Sequence, residues 1–179
     1  MKKLTVAIMA AALCSSLAYG SGFGLFVSQW SPKDGDDTIG GGAKLEFGGE
    51  PLALELRGSY FESDVAGGAG HHGDTLTLIP ADIGLVVSVP LGDSPVSLHA
   101  MGGASWYFLD SDAADLDDEA GWYAGGGLRV AVSDGLALFA EAQYRSLEYT
   151  AGDDDPDNLD KNDVDFSALS YNGGLMFTW

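Results

Sequence analysis

The feature that most narrows what this chain can become is a two-residue alternation, clearest in its last eleven residues. Leu169, Tyr171, Gly173, Leu175, Phe177 and Trp179 share one face, and Ser170, Asn172, Gly174, Met176 and Thr178 share the other. Successive side chains of a strand point to opposite sides, so this stretch reads as a strand with one aromatic-aliphatic face and one polar or small face. Seven earlier stretches repeat the pattern, at about 22–30, 38–48, 52–62, 75–89, 96–109, 122–132 and 136–149. Between them, connections at 48–51, 90–95 and 133–135 are short and rich in Gly, Pro and Asp, as tight turns require. Those at 31–37, 63–74, 110–121 and 151–165 are longer and acidic.

The charges within strands decide which face is which. Lys44, Glu46, Glu55, Arg57, Asp82, Arg129, Glu141 and Arg145 all lie opposite the aliphatic face, together with His99 and Gln143. Four cations against four anions predict a neutral, internally paired set, because unpaired buried ions cost several kcal/mol each. The Lys44-x-Glu46 and Glu55-x-Arg57 pairs flank the turn at 48–51 and are expected to form ion pairs across that hairpin.

The N-terminus reads as an export signal. Lys2 and Lys3 precede an apolar run from Leu4 to Leu17, and Ala18-Tyr19-Gly20 offers a cleavage site before Ser21. The domain reading is therefore a signal peptide at 1–20 and a barrel at 21–179. Cys14, the one cysteine, lies in the leader behind Leu13, which argues against lipidation and leaves the mature chain without disulfides. Removing Lys2 and Lys3 leaves six basic residues against 27 acidic ones, a formal charge of −21. Such a chain is a poor partner for nucleic acid. No later hydrophobic stretch is long enough for a membrane helix, so a bilayer is crossed only by a closed barrel whose strands satisfy each other's backbone.

Eight strands, short turns alternating with long loops, and a charged interior resemble the small eight-stranded outer-membrane proteins of the OmpX and OmpA transmembrane-domain type. The polar-x-Gly-x-x-Phe-x-Trp series at Asn172, Gly174, Phe177 and Trp179 resembles the insertion signal of that class. The resemblance implies an all-β, antiparallel, up-and-down transmembrane barrel, monomeric, in the outer membrane. It also implies contact with lipopolysaccharide and with the barrel-assembly machinery; because the last strand ends the sequence, no peptidoglycan-binding domain is expected after it. Tyr60, Trp106, Trp122 and Tyr144 near the long loops, with Phe177 and Trp179 at the other end, are expected to form two interfacial aromatic belts.

Candidate chemistry is sparse. His99 with Ser97 is the nearest approach to a nucleophile and base, but both face inward, and the sequence lacks the His-x-Ser order of lipid A deacylases. No catalytic residue is assigned. His71 and His72 in a glycine-rich loop read as solvated. The acidic loops carry the sharper expectation, weak Ca²⁺ binding by Asp153, Asp155 and Asp157 and by Asp115 and Asp117, since hard cations take carboxylate oxygens. Asn158 and Val164 occupy the positions where a calcium-binding EF-hand loop places Gly and Glu, so this is not an EF-hand. The expected role is structural or surface-interacting. A narrow channel, a lipid A-modifying enzyme and a soluble periplasmic ligand-binding barrel are the alternatives. Mass spectrometry of the protein extracted from outer membranes should place its N-terminus at Ser21; an intact Met1 would remove the export reading.

Overall fold

The computed structural model describes residues 21–32, 37–65, 74–111, 119–146, 148–150, 163–165 and 167–179. The leader, with Cys14 and the cleavage site, lies outside them, as do His71, His72, Asp115, Asp117, Asp153, Asp155 and Asp157. Ten strands follow in chain order: β1 Ser21–Pro32, β2 Thr38–Gly49, β3 Leu52–Val65, β4 Asp74–Pro90, β5 Val96–Ser111, β6 Glu119–Ser133, β7 Leu136–Ser146, β8 Glu148–Thr150, β9 Asp163–Asp165 and β10 Ala168–Thr178. Eight of them close in the order β1-β10-β7-β6-β5-β4-β3-β2, every neighbour antiparallel. The fold is thus the expected eight-stranded up-and-down barrel. The seventh sequence segment is shorter than its alternation suggests: β7 leaves the wall at Ser146, and β8 pairs instead with β9 as a separate two-stranded ribbon.

Closure is sealed where β1 meets β10, with Phe23 opposite Phe177 and Leu25 opposite Leu175. At the short-turn end, Ser21 N–H donates to the Trp179 carbonyl at 3.2 Å and Trp179 N–H returns to Ser21 at 3.1 Å. The ladder between β3 and β4 keeps one register from Leu52–Val87 to Val65–Asp74 but skips Ser59–Pro80 and Tyr60–Ile79. Pro80 has no N–H to give, so the wall loses pairing there without a shift of register.

Burial is inverted relative to a water-soluble barrel. Among the described residues, 24 large hydrophobic side chains are exposed, including Leu85, Leu98, Leu128, Leu138, Leu175 and Phe177, while Lys44, Glu55, Arg57 and Arg145 are buried. A continuous apolar exterior of this kind, which water would strongly disfavour, suits lipid. Tyr60, Trp106, Trp122, Tyr144 and Tyr171 face outward near the long-loop ends, and Phe177 and Trp179 near the short-turn end, as two interfacial belts require.

Glycines on the inner face make room for the large luminal groups. A Cβ on Gly42 would strike the Phe26 ring, and one on Gly127 the backbone and side chain of Glu141. The separate ribbon gives a local signature: in hydrogen exchange of the folded barrel, the amides of β8 and β9, joined by three residue pairs, should exchange faster than those of Leu56 and Ile83, which are paired within the closed wall.

Candidate functional site in the barrel lumen

Period two selects which side chains enter the lumen, and strand stagger selects which of them meet. Glu141 of β7 is the hub. Lys44 Nζ of β2 bonds to its Oε1, Arg57 Nη2 of β3 donates to Oε2 at 2.6 Å, and His99 Nε2 of β5 lies 3.2 Å from Oε1. Three strands thereby converge on one carboxylate. Arg57 also forks onto Glu55, through Nε at 3.2 Å and Nη2 at 3.0 Å, the two-point geometry that strengthens guanidinium–carboxylate pairs. Tyr123 O–H donates to Glu55 at 3.3 Å. Lys44 lies 3.2 Å from Glu46 and 3.6 Å from Glu55, and Arg129 Nη2 reaches both oxygens of Glu46 at 2.6 and 2.8 Å.

A second cluster sits toward the long-loop end. Arg145 binds Asp82 through both terminal nitrogens at 2.8 Å, Ser105 O–H also donates to Asp82, and Gln143 Oε1 accepts from Arg145 at 3.1 Å. Gln143 Nε2 is 2.9 Å from Met101 Sδ, which also lies 3.8 Å from Arg57, so Gln143 and Met101 join the two clusters. Rings pack against the cations: Lys44 Nζ is 4.0 Å from the Phe139 centroid, and the Arg57 and Arg145 guanidinium carbons are 5.1 and 5.6 Å from Phe26 and Tyr123.

The lumen therefore gathers Lys44, Glu46, Glu55, Arg57, Asp82, Arg129, Glu141 and Arg145, but of the ion pairs expected across the hairpin only Lys44–Glu55 forms, on the diagonal and at 3.6 Å, and none is directly opposed. The register sets Lys44 opposite Arg57 and Glu46 opposite Glu55, like charge against like. Opposite charges meet along one strand, on the diagonal, or across the lumen on β6 and β7. The reason is the turn: with Gly49 paired to Leu52, the two charged dipeptide frames align base to base and acid to acid.

Ser105, Tyr123, Met101, Phe26 and Phe139 escaped the sequence reading. Strand parity was the available signal, since Ser105 and Met101 share a face with His99, and Tyr123 shares one with Arg129. Toward the long loops the lumen is apolar, filled by Trp30, Phe61, Leu78, Tyr107 and Ala168, with the Trp30 and Phe61 ring centroids 5.0 Å apart. Of the terminal series, Asn172 and Gly174 face the lumen, whereas Phe177 and Trp179 face outward at 42% and 62% exposure. His99 points into the network, away from the lipid-facing wall. Among the described residues no group of three or more metal-ligating side chains comes together.

An inward ion network inside a lipid-facing closed barrel is the arrangement of an outer-membrane protein, and the family profile for the outer membrane protein beta-barrel domain matches residues 4–177. The chain belongs to that family. No curated protein matches it. Among solved structures it is similar to the outer membrane protein OprG from Pseudomonas aeruginosa, with 16% identity, 90% of this chain and 96% of that one covered, and a TM-score of 0.66. Neisserial surface protein A matches at 14% identity, covering 88% and 95%, with a TM-score of 0.62. A major outer membrane protein from Thermus thermophilus matches at 14% identity, covering 89% and 99%, with a TM-score of 0.59. These likenesses speak to the fold.

Removing the hub is expected to be the costliest single change in the family barrel's lumen. Glu141→Gln leaves Lys44 and Arg57 buried with too little negative charge and should destabilise by about 3–5 kcal/mol in urea unfolding from lipid vesicles. Glu46→Gln should cost less, because its partner Arg129 keeps 18% side-chain exposure. Equal losses from the two variants would count against Glu141 as the hub.

Proposed function

We propose that this outer-membrane barrel is a closed structural and surface-presenting scaffold, with its lumen serving as a plug that fixes the wall. The observation carrying this reading is the charge-balanced network that crosses the lumen from β2 and β3 to β7, capped toward the long loops by the Trp30–Phe61–Tyr107 packing. A hydrated pore needs a continuous polar path, and here paired ions and then aromatic rings fill the section. The inward-facing His99, held against Glu141, supports a structural rather than a catalytic use of that residue. A wall studded with Trp106, Trp122 and Tyr144 at the loop side supports a fixed depth in the membrane.

On this reading the work falls to the long acidic loops. We propose that Asp115, Asp117, Asp153, Asp155 and Asp157 take divalent cations weakly, with Ca²⁺ bridging them to the phosphates of lipopolysaccharide, since loops of this charge repel anionic lipid without a counterion. The barrel acts as a monomer and reaches its place through the assembly machinery. Planar-bilayer recordings of the purified barrel should give no discrete conductance steps. Regular single-channel steps from wild type would replace the scaffold with the narrow-channel reading. Calorimetry with Ca²⁺ that releases no heat would remove the bridging role and leave the scaffold standing.

A further inference from the structure

The luminal charges leave no surplus. Lys44, Arg57, Arg129 and Arg145 face Glu46, Glu55, Asp82 and Glu141, and each carboxylate already lies within ion-pair distance of a cation. Among the described inward side chains, His99 is the one group able to change that balance between about pH 5 and 8, because carboxylates titrate below that window and Lys, Arg and Tyr above it. It is 5% exposed and lies against Glu141, the hub of the network.

The contact fixes where its proton sits. Nε2 is 3.2 Å from Glu141 Oε1, the oxygen that also takes Lys44 Nζ, while Arg57 holds Oε2. A nitrogen facing an ionised carboxylate carries the N–H. Nδ1 is then the bare nitrogen, and it is buried with no hydrogen-bond partner.

A second proton on this ring meets no free acceptor charge. β4 sets Ser88 opposite His99 and β6 sets Gly127 there; the charge that β4 does carry inward, Asp82, is taken by Arg145. Arg129, the next inward residue of β6, adds a cation and is matched by Glu46 of β2. Lys44 of β2 and Arg57 of β3 add two more, and Glu55 of β3 is held by Arg57 and by Tyr123 of β6. Protonated, the lumen would hold five cations against four anions, in a space that disfavours an unpaired ion. Protons reach His99 from one end. Ser88, opposite it, and Ser97, two residues before it, line a cavity of about 630 Å³ that extends to Glu50 and Asp134 in the short turns.

We propose that His99 is an acid-sensitive latch on the luminal plug. Neutral, its Nε2–H donates to Glu141 and the joint between Lys44, Glu141 and Arg57 stays closed. Protonated, it competes with Lys44 for Oε1 and brings an unmatched Nδ1–H, which loosens the joint where β2, β3 and β7 meet. The latch rests on the closed-plug reading above and adds the signal that releases it.

The test follows the ¹⁵N-labelled, folded barrel in phosphatidylcholine nanodiscs by NMR from pH 7.5 to 5.0, beside the His99→Gln variant, which keeps an N–H donor and cannot titrate in this range. At pH 7.5 the His99 ring should carry one N–H, on Nε2. On acidification the amides of Lys44, Arg57 and Glu141 should shift together with the imidazole, and in the variant they should stay in place. In urea unfolding from phosphatidylcholine vesicles, the wild-type unfolding constant should rise about tenfold relative to the variant's between pH 7.5 and 5.5, the effect of one proton taken up on unfolding over about one pH unit below the histidine range. Amides that ignore the imidazole's titration, an equal pH response in the variant, or a ring already doubly protonated at pH 7.5 would overturn the latch and leave the plug standing. Discrete conductance at pH 7.5 would remove the plug, and the latch with it. If His99→Gln fails to fold, the wild-type imidazole and amide titrations decide alone.

Discussion

Charge neutrality within a narrow cylinder is the constraint on which this molecule depends. Once the apolar faces of eight strands are turned to lipid, the opposite faces must share a space with little water, where an unpaired ion is strongly disfavoured. The answer here is four cations and four anions on five strands, arranged so that each guanidinium or ammonium finds a carboxylate. Glu141 shows how tight the arrangement is, since its two oxygens serve Lys44, Arg57 and His99 together. The aromatic rings of Phe26, Phe139 and Tyr123 then lie against the cations, so that hydrocarbon and charge share the section instead of separating into layers.

Glycine is the partner of that crowding. Inside a barrel of eight strands the large residues on one strand need their neighbours to be small. Gly84 lies beneath the Tyr123 hydroxyl, Gly125 beside Gln143 and Gly127 beside Glu141. The abundance of glycine, which in the sequence alone resembles loop composition, is therefore a packing property of the wall.

Much of this is legible in the sequence. Alternation located the strands, and the turn chemistry at 48–51, 90–95 and 133–135 separated them. The confinement of Arg57, Arg129 and Arg145 to one parity told inside from outside. Parity does not report position around the cylinder, however. That Lys44 meets Glu141, 97 residues away, depends on the stagger accumulated through every strand between them. It also does not distinguish a polar lumen from one capped by Trp30, Phe61 and Tyr107, because the same inner face carries both. The β7 alternation ran past Ser146 for a related reason: residues 148–150 keep strand geometry but pair with 163–165 instead of with the wall.

The β2–β3 register has a consequence for how the molecule comes together. Within that hairpin lysine stands against arginine and glutamate against glutamate at successive inward positions, and the pairs it makes by itself, along each strand and on the Lys44–Glu55 diagonal, relieve this only in part. Relief comes from Glu141 and Arg129, which lie in the second half of the chain. The hairpin thus gains its closest ion pairs, Lys44 and Arg57 with Glu141 and Glu46 with Arg129, only when late strands arrive, which ties the first and last parts of the polypeptide into one cooperative unit and makes a half-assembled sheet a poor resting state.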